Sequence, residues 1–86
     1  MTLQQYRELS GGGNRCRAIY MALLDGLVLT GKSANYISDS TNGLRYIRFI
    51  KNSKELAADG YKVVENWKKD SRGIRIKYYH LEKIQS

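Results

Sequence analysis

The spacing of apolar residues changes character at Gly60. Before it, Cys16, Ile19, Tyr20, Leu23, Leu24 and Leu27 recur at the intervals of one buried helical stripe, and residues 42–59 repeat such a pattern. After it, residues 61–68 and 74–81 are rich in β-branched and aromatic side chains and alternate as strands do. Helices before such a boundary and a hairpin after it make an α+β fold.

At 86 residues the chain has room for a single small domain, which buries only about 60% of its unfolded surface or a little more. One cysteine, Cys16, cannot close an internal disulfide, and one Cys with one His is too few for a four-ligand zinc site. Stability must come from packing. The longest uncharged stretch near the front, residues 18–24, is far too short to span a membrane and follows a Gly-Gly-Gly tract in place of a signal-peptide n-region. The chain therefore reads as cytosolic, with no membrane partner.

Residues 1–13 read as an arm, with Leu3, Tyr6 and Leu9 at helical spacing, cut off by the glycine hinge at residues 11–13. The domain proper is expected over residues 14–82, with a short tail at 83–86. Asn14 is the candidate cap of the first helix, and Asp25-Gly26 its stop. Residues 27–29 leave space for a very short strand, after which Thr30 or Ser33 caps a second helix ending at Ser38, with Ala34 and Ile37 inward.

The polar turn formers at residues 38–43 end that helix, and Ser40 or Thr41 caps a third. On a 100° wheel, residues 42–59 place Tyr46, Phe49, Ile50, Ser53, Leu56 and Ala57 on one inward arc. The opposite side displays Arg45, Arg48, Lys51, Asn52 and Glu55. Asn52 and Ser53 are weak helix formers, so a break there is allowed for. Gly60 fits the stop. In the hairpin, a five-residue turn at 69–73 would pair Lys68 with Ile74, Trp67 with Arg75, Glu65 with Lys77, Val63 with Tyr79 and Tyr61 with Leu81.

Charge is uneven. Of a net +7, residues 1–30 hold +1, residues 31–60 hold +2 and residues 61–86 hold +4. A basic surplus weighted to one end favours a polyanionic partner, because Lys and Arg beside phosphates release condensed counterions.

The order helix, short strand, helix, polar turn, helix, Gly, basic-tipped hairpin resembles a winged helix-turn-helix, and more closely the small helix-turn-helix domains of bacteriophage and prophage early regions. The likeness rests on Leu29-Thr30 at the start of the second helix, Leu56 four residues before Gly60-Tyr61, the strand Lys62-Val63-Val64, the turn ending in Arg72-Gly73, and Tyr79-His80-Leu81. It covers residues 14–81. Ser53 departs from it, since such domains bury an aliphatic residue there, and this puts a straight third helix in doubt.

The resemblance implies three helices and a hairpin wing, with the third helix in the major groove of double-stranded DNA. Arg45 and Arg48 would then grip guanine edges and Asn42 or Asn52 adenine, with Thr41 and Lys51 beside them. Lys32 and Ser33 at the second helix N-terminus, and Lys68, Lys69, Arg72 and Arg75 at the hairpin tip, would contact phosphate. The bland readings are a solvated helix face and a hairpin tip charged against edge pairing. Trp67 reads as structural above Arg75, and His80 as without a role. Cys16 reads as a core thiol, although Arg15 and Arg17 would lower its pKa.

No convergent acid, base or nucleophile points to an enzyme, and no cofactor or metal is expected. The function expected is a sequence-selective duplex-DNA-binding protein, a phage-type transcriptional regulator or recombination accessory factor acting in a bacterial or phage-infected cell. A homodimer joined through the arm is the expected assembly. The alternative is a winged-helix adaptor for a protein partner, using Leu44 and the arm.

Overall fold

In a computed structural model describing residues 2–84, the chain forms five α-helices and a three-stranded antiparallel sheet, a small compact α+β fold. The helices are α1 (Leu3–Leu9), α2 (Arg15–Leu24), α3 (Gly31–Ser38), α4 (Gly43–Lys51) and α5 (Lys54–Ala58), and the strands are β1 (Leu29–Thr30), β2 (Tyr61–Lys69) and β3 (Arg75–Lys83). None of the described helices is long and apolar enough to cross a membrane. The core is Tyr6, Ala18, Ile19, Ala22, Leu23, Leu29, Ala34, Ile37, Ile47, Ile50, Leu56 and Tyr79.

Five helices replace the expected three for two reasons. The first is that the N-terminal segment is not a detached arm. Thr2 and Gln5 form a capping box, in which Thr2 Oγ1 accepts from the Gln5 N–H at 3.3 Å and Gln5 Oε1 accepts from the Thr2 N–H at 2.6 Å. The helix so started buries Tyr6, at 1% exposure, and the Tyr6 hydroxyl donates to Asp25 at the end of α2. Arg7 pairs with Asp39 at 2.6 Å and lies over the Tyr36 ring. The glycines are an ordered 3-10 turn, with Gly12 at φ 73° and Gly13 at φ 89°, values that a side chain would disfavour.

The second reason is a break in the third helix. Asn52 ends α4, and Ser53 is extended, its Oγ accepting from the Leu56 N–H at 3.2 Å to start α5. The break changes which residues are inward. Ile47, Ile50 and Leu56 are buried and Tyr46 half-buried, whereas Phe49 is 70% exposed and Ala57 is exposed. Gly43 fixes this rotation: it packs against the backbone of Ala34 and Asn35 so closely that the row 43, 47, 50 must face α3.

Caps differ in detail. Asn14 stands at the α2 N-cap position without a side-chain cap bond and donates through Nδ2 to the Gly11 carbonyl at 3.3 Å. Thr30 caps α3, accepting from the Ser33 N–H at 3.1 Å. Neither Ser40 nor Thr41 caps α4. Asn42 holds the N-cap position, and Asn35 Oδ1, one helix back, accepts from the Gly43 N–H at 2.7 Å.

The sheet order is β1-β3-β2, with Leu29 opposite Tyr79 and, across the hairpin, Val63 opposite Leu81, Glu65 opposite Tyr79, Trp67 opposite Lys77 and Lys69 opposite Arg75. The expected pairs are thus shifted by two residues. The turn spans residues 70–74, because Asp70 closes it: its N–H donates to the Ile74 carbonyl, and its Oδ1 accepts from the N–H groups of Arg72 at 2.8 Å and Ile74 at 3.0 Å. A shift of two leaves every side chain on its expected face. The strand runs on through Lys83, and the Ile84 N–H donates to the Gly60 carbonyl at 2.8 Å; the rest of the expected tail, residues 85–86, and Met1 lie outside the described residues.

Candidate nucleic-acid interface

The α4 helix carries an outward stripe at i, i+3, i+4, i+7 made of Arg45, Arg48, Phe49 and Asn52, which with Ser53 line one surface concavity. All four stripe side chains are exposed. Among the described residues, no side-chain hydrogen bond or ion pair engages Arg45, Arg48, Asn42 or Asn52. Asn42 and Thr41 are exposed just ahead of the stripe, the Asn42 N–H donating to Ser40 Oγ at 3.1 Å.

Arg48 also lines a second, smaller hollow on the flank of α4, with Lys51, Glu65, Lys77 and Tyr79. Lys51 and Lys77 converge on one carboxylate there. Their Nζ atoms lie 3.5 Å from Glu65 Oε2 and 3.4 Å from Glu65 Oε1 respectively. Partial burial works to raise the Glu65 pKa, yet the hydrogen bond from Lys77 and the charge of Lys51 outweigh it and hold the group below its ordinary value. Three groups thus carry a single positive charge that fastens α4 to the sheet.

From Lys77 the same sheet face runs to the hairpin tip. Trp67 is 56% exposed and is covered by two cations, the Arg75 guanidinium 5.1 Å and the Lys77 ammonium 5.6 Å from the ring centre. Lys69, opposite Arg75, extends this face. Residues Glu65–Lys69 are all exposed, a projection of roughly 16 Å at the usual strand rise.

The other expected tip contacts fare differently. Lys68 points to the opposite sheet face, where it sits 5.6 Å from the Tyr78 ring. Arg72 is tied to Asp70 through Nη2 at 3.1 Å and Nε at 3.4 Å. The backbone N–H of Ile74, and then those of Arg72, hold the Asp70 carboxyl below its ordinary value, against the opposing effect of burial. So the four cations of residues 68–75 are not one cluster. Lys69 and Arg75 share a face, Lys68 faces away, and Arg72 is neutralised.

At the start of α3, Lys32 is exposed and forms no ion pair among the described residues, while the Ser33 N–H is taken by Thr30 and Ser33 Oγ lies 3.2 Å from Thr30 Oγ1. Lys51, bound to Glu65, is a clamp before it is a free cation. Sequence reasoning missed three residues. Lys77 was hidden by its assignment to Glu65 alone, Phe49 by its place on a helical wheel, and Asn35 by its sequence distance from the helix it caps.

Elsewhere the described residues offer little for chemistry. No group of three or more His, Cys, Asp or Glu is placed to hold a metal ion. Burial, then the nearby Glu55, raises the Cys16 thiol, so the lowering anticipated from Arg15 and Arg17 does not occur. Tyr20 is pushed up to about 12 by burial and by the hydrogen bond it donates to Asp59 at 2.7 Å. His80 lies 3.4 Å from Glu82 on the same strand.

Compared with known proteins, this chain matches no family model, no curated protein and no solved structure.

Proposed function

We infer that the protein is a sequence-selective binder of double-stranded DNA, a transcriptional regulator or recombination accessory factor built on a winged helix-turn-helix plan. In this reading α3 and α4 are the helix pair, α4 enters the major groove, and the β2–β3 hairpin is the wing. The observation that carries it is the outward stripe of α4, where two guanidiniums and an amide have no partner in the described chain and adjoin, through Arg48, the cationic sheet face of Lys77, Arg75 and Lys69. A solvated helix face of ordinary kind would lace its arginines to carboxylates at i+4; here the residues four on from Arg45 and Arg48 are Phe49 and Asn52.

Within this reading Arg45, Arg48, Asn42 and Asn52 contact bases, and Lys32, Lys69, Arg75 and Lys77 contact phosphate. One α4 spans few base pairs, so a two-fold pair of chains on adjacent half-sites belongs to the proposal. Affinity for a selected duplex measured against salt tests it. Four phosphate contacts from each chain, eight for the pair, give a log–log slope of about −7. A slope near zero, or no binding at low salt, overturns the reading.

A protein-binding adaptor is the second reading. It has lost Tyr6, which is in the core, but a groove of about 480 Å³ between α2 and the α4–α5 segment, walled by Met21, Leu24 and Phe49, favours it. It requires an Arg45→Ala, Arg48→Ala double variant to keep full function in the cell.

A further inference from the structure

Phe49 is the most exposed of the large apolar side chains among the described residues, at 70%. It does not stand alone. Its neighbours at i−4, i−1 and i+3 are Arg45, Arg48 and Asn52, all donors without an internal partner among the described residues, and together they line a single concavity. The three polar members match the acceptors on guanine and adenine edges, which accounts for every member of the stripe but the phenyl ring. The major groove displays one apolar group on its base edges, the C5-methyl of thymine.

We propose that Phe49 is a specificity-determining residue that selects thymine by packing against its 5-methyl group, within a site whose guanines are read by Arg45 and Arg48. This rests on the duplex-DNA reading above and deepens it. The ring is held out by the same features that orient the stripe: the Gly43 contact with α3, which turns Ile47 and Ile50 inward, and the stop at Asn52, which ends the helix one turn after Phe49. Because 70% of the residue is already in water, its truncation leaves the core intact, and Phe49→Ala is expected to fold as the parent does.

The experiment selects bound sequences from random duplex DNA with the unaltered chain, then replaces each thymine of the selected site in turn by deoxyuridine, which removes the methyl and keeps the pairing edge. The expected result is a loss of about fourfold in affinity at one or two thymines, equivalent to ~0.8 kcal/mol for a buried methyl, and no loss at the others. Phe49→Ala should bind the thymine and deoxyuridine sites equally. Uniform tolerance of deoxyuridine by the unaltered chain, or a deoxyuridine penalty that survives Phe49→Ala, overturns the proposal while the DNA reading stands. Failure of the selection to enrich any duplex overturns both. Sedimentation of the two proteins without DNA completes the test: if Phe49→Ala abolishes a self-association and leaves thymine discrimination unchanged, the ring belongs to a protein contact and the proposal falls.

Discussion

At Gly43 a Cβ would stand 2.5 Å from both the Ala34 carbonyl carbon and the Asn35 nitrogen, atoms of a backbone that cannot yield as a flexible side chain does. Intrinsic helix propensity favours alanine over glycine by about 1 kcal/mol in a helix interior and by less at this first position of α4, so the two effects oppose each other and the sign of a substitution tells which wins. Overpacking against backbone dominates. Gly43→Ala is expected to destabilise by about 2–3 kcal/mol in urea unfolding, and a stabilised variant would contradict the α3–α4 packing that orients the whole stripe. Asp70 shows a second single-residue constraint. Its pKa in the folded chain lies below the ordinary 3.8, so its share of stability is fully present above that value and is lost as pH falls through the lower, folded value. Followed by NMR between neutral pH and pH 2, the Ile74 amide should shift with the titration of Asp70 and its exchange protection should weaken, while Asp70→Asn removes the titration. A pH-independent Ile74 amide would mean that the turn is closed by something other than this carboxylate.

At the scale of elements, α1 and α5 are the two additions to the expected helices, and each hangs on an identifiable residue. Tyr6 is at 1% exposure and anchors α1, so Tyr6→Ala should cost about 3–4 kcal/mol, as large core truncations do; a loss below about 1 kcal/mol would restore the detached arm. Ser53→Ala removes the hydroxyl that starts α5 and should cost about 1 kcal/mol in urea unfolding. These elements also show how far the chain could be read unaided. Thr30, one of the two caps expected, and Ser38 bound α3 because both signals are local, and the faces of the hairpin were legible because alternation survives a shift of two. The register itself was not, since a five-residue turn fits at 69–73 as well as at 70–74 until the Asp70 carboxylate is seen to cap the latter. The glycine triplet suggested a hinge, although Thr2 and Gln5 already announced a capped helix ahead of it. Phe49 was illegible for a different reason: a wheel assumes one continuous helix, and the true rotation comes from Gly43 meeting another helix.

For the whole molecule, extents of 39 × 36 × 22 Å describe a flat body, and the hairpin extends its sheet beyond the core. The α4 stripe and the sheet face of Lys77, Arg75 and Lys69 meet at Arg48, which lines the hollow on each side of it. A surface of this kind should divide its labour by distance from the groove. Arg48, on the helix, would donate to a base edge, so Arg48→Ala should cost about 1–3 kcal/mol on a selected site and relax the choice of base at one position. Lys69, at the projecting end of β2, would meet phosphate alone. Lys69→Ala should therefore weaken selected and random duplexes by the same factor and flatten the salt dependence by about one counterion per bound chain. Titrations of both variants on both duplexes at two or more salt concentrations separate these outcomes. If the two substitutions cost the same on selected and random DNA, Arg48 is not reading sequence. Its guanidinium would then act as Lys69 does, as a sequence-blind charge beside phosphate.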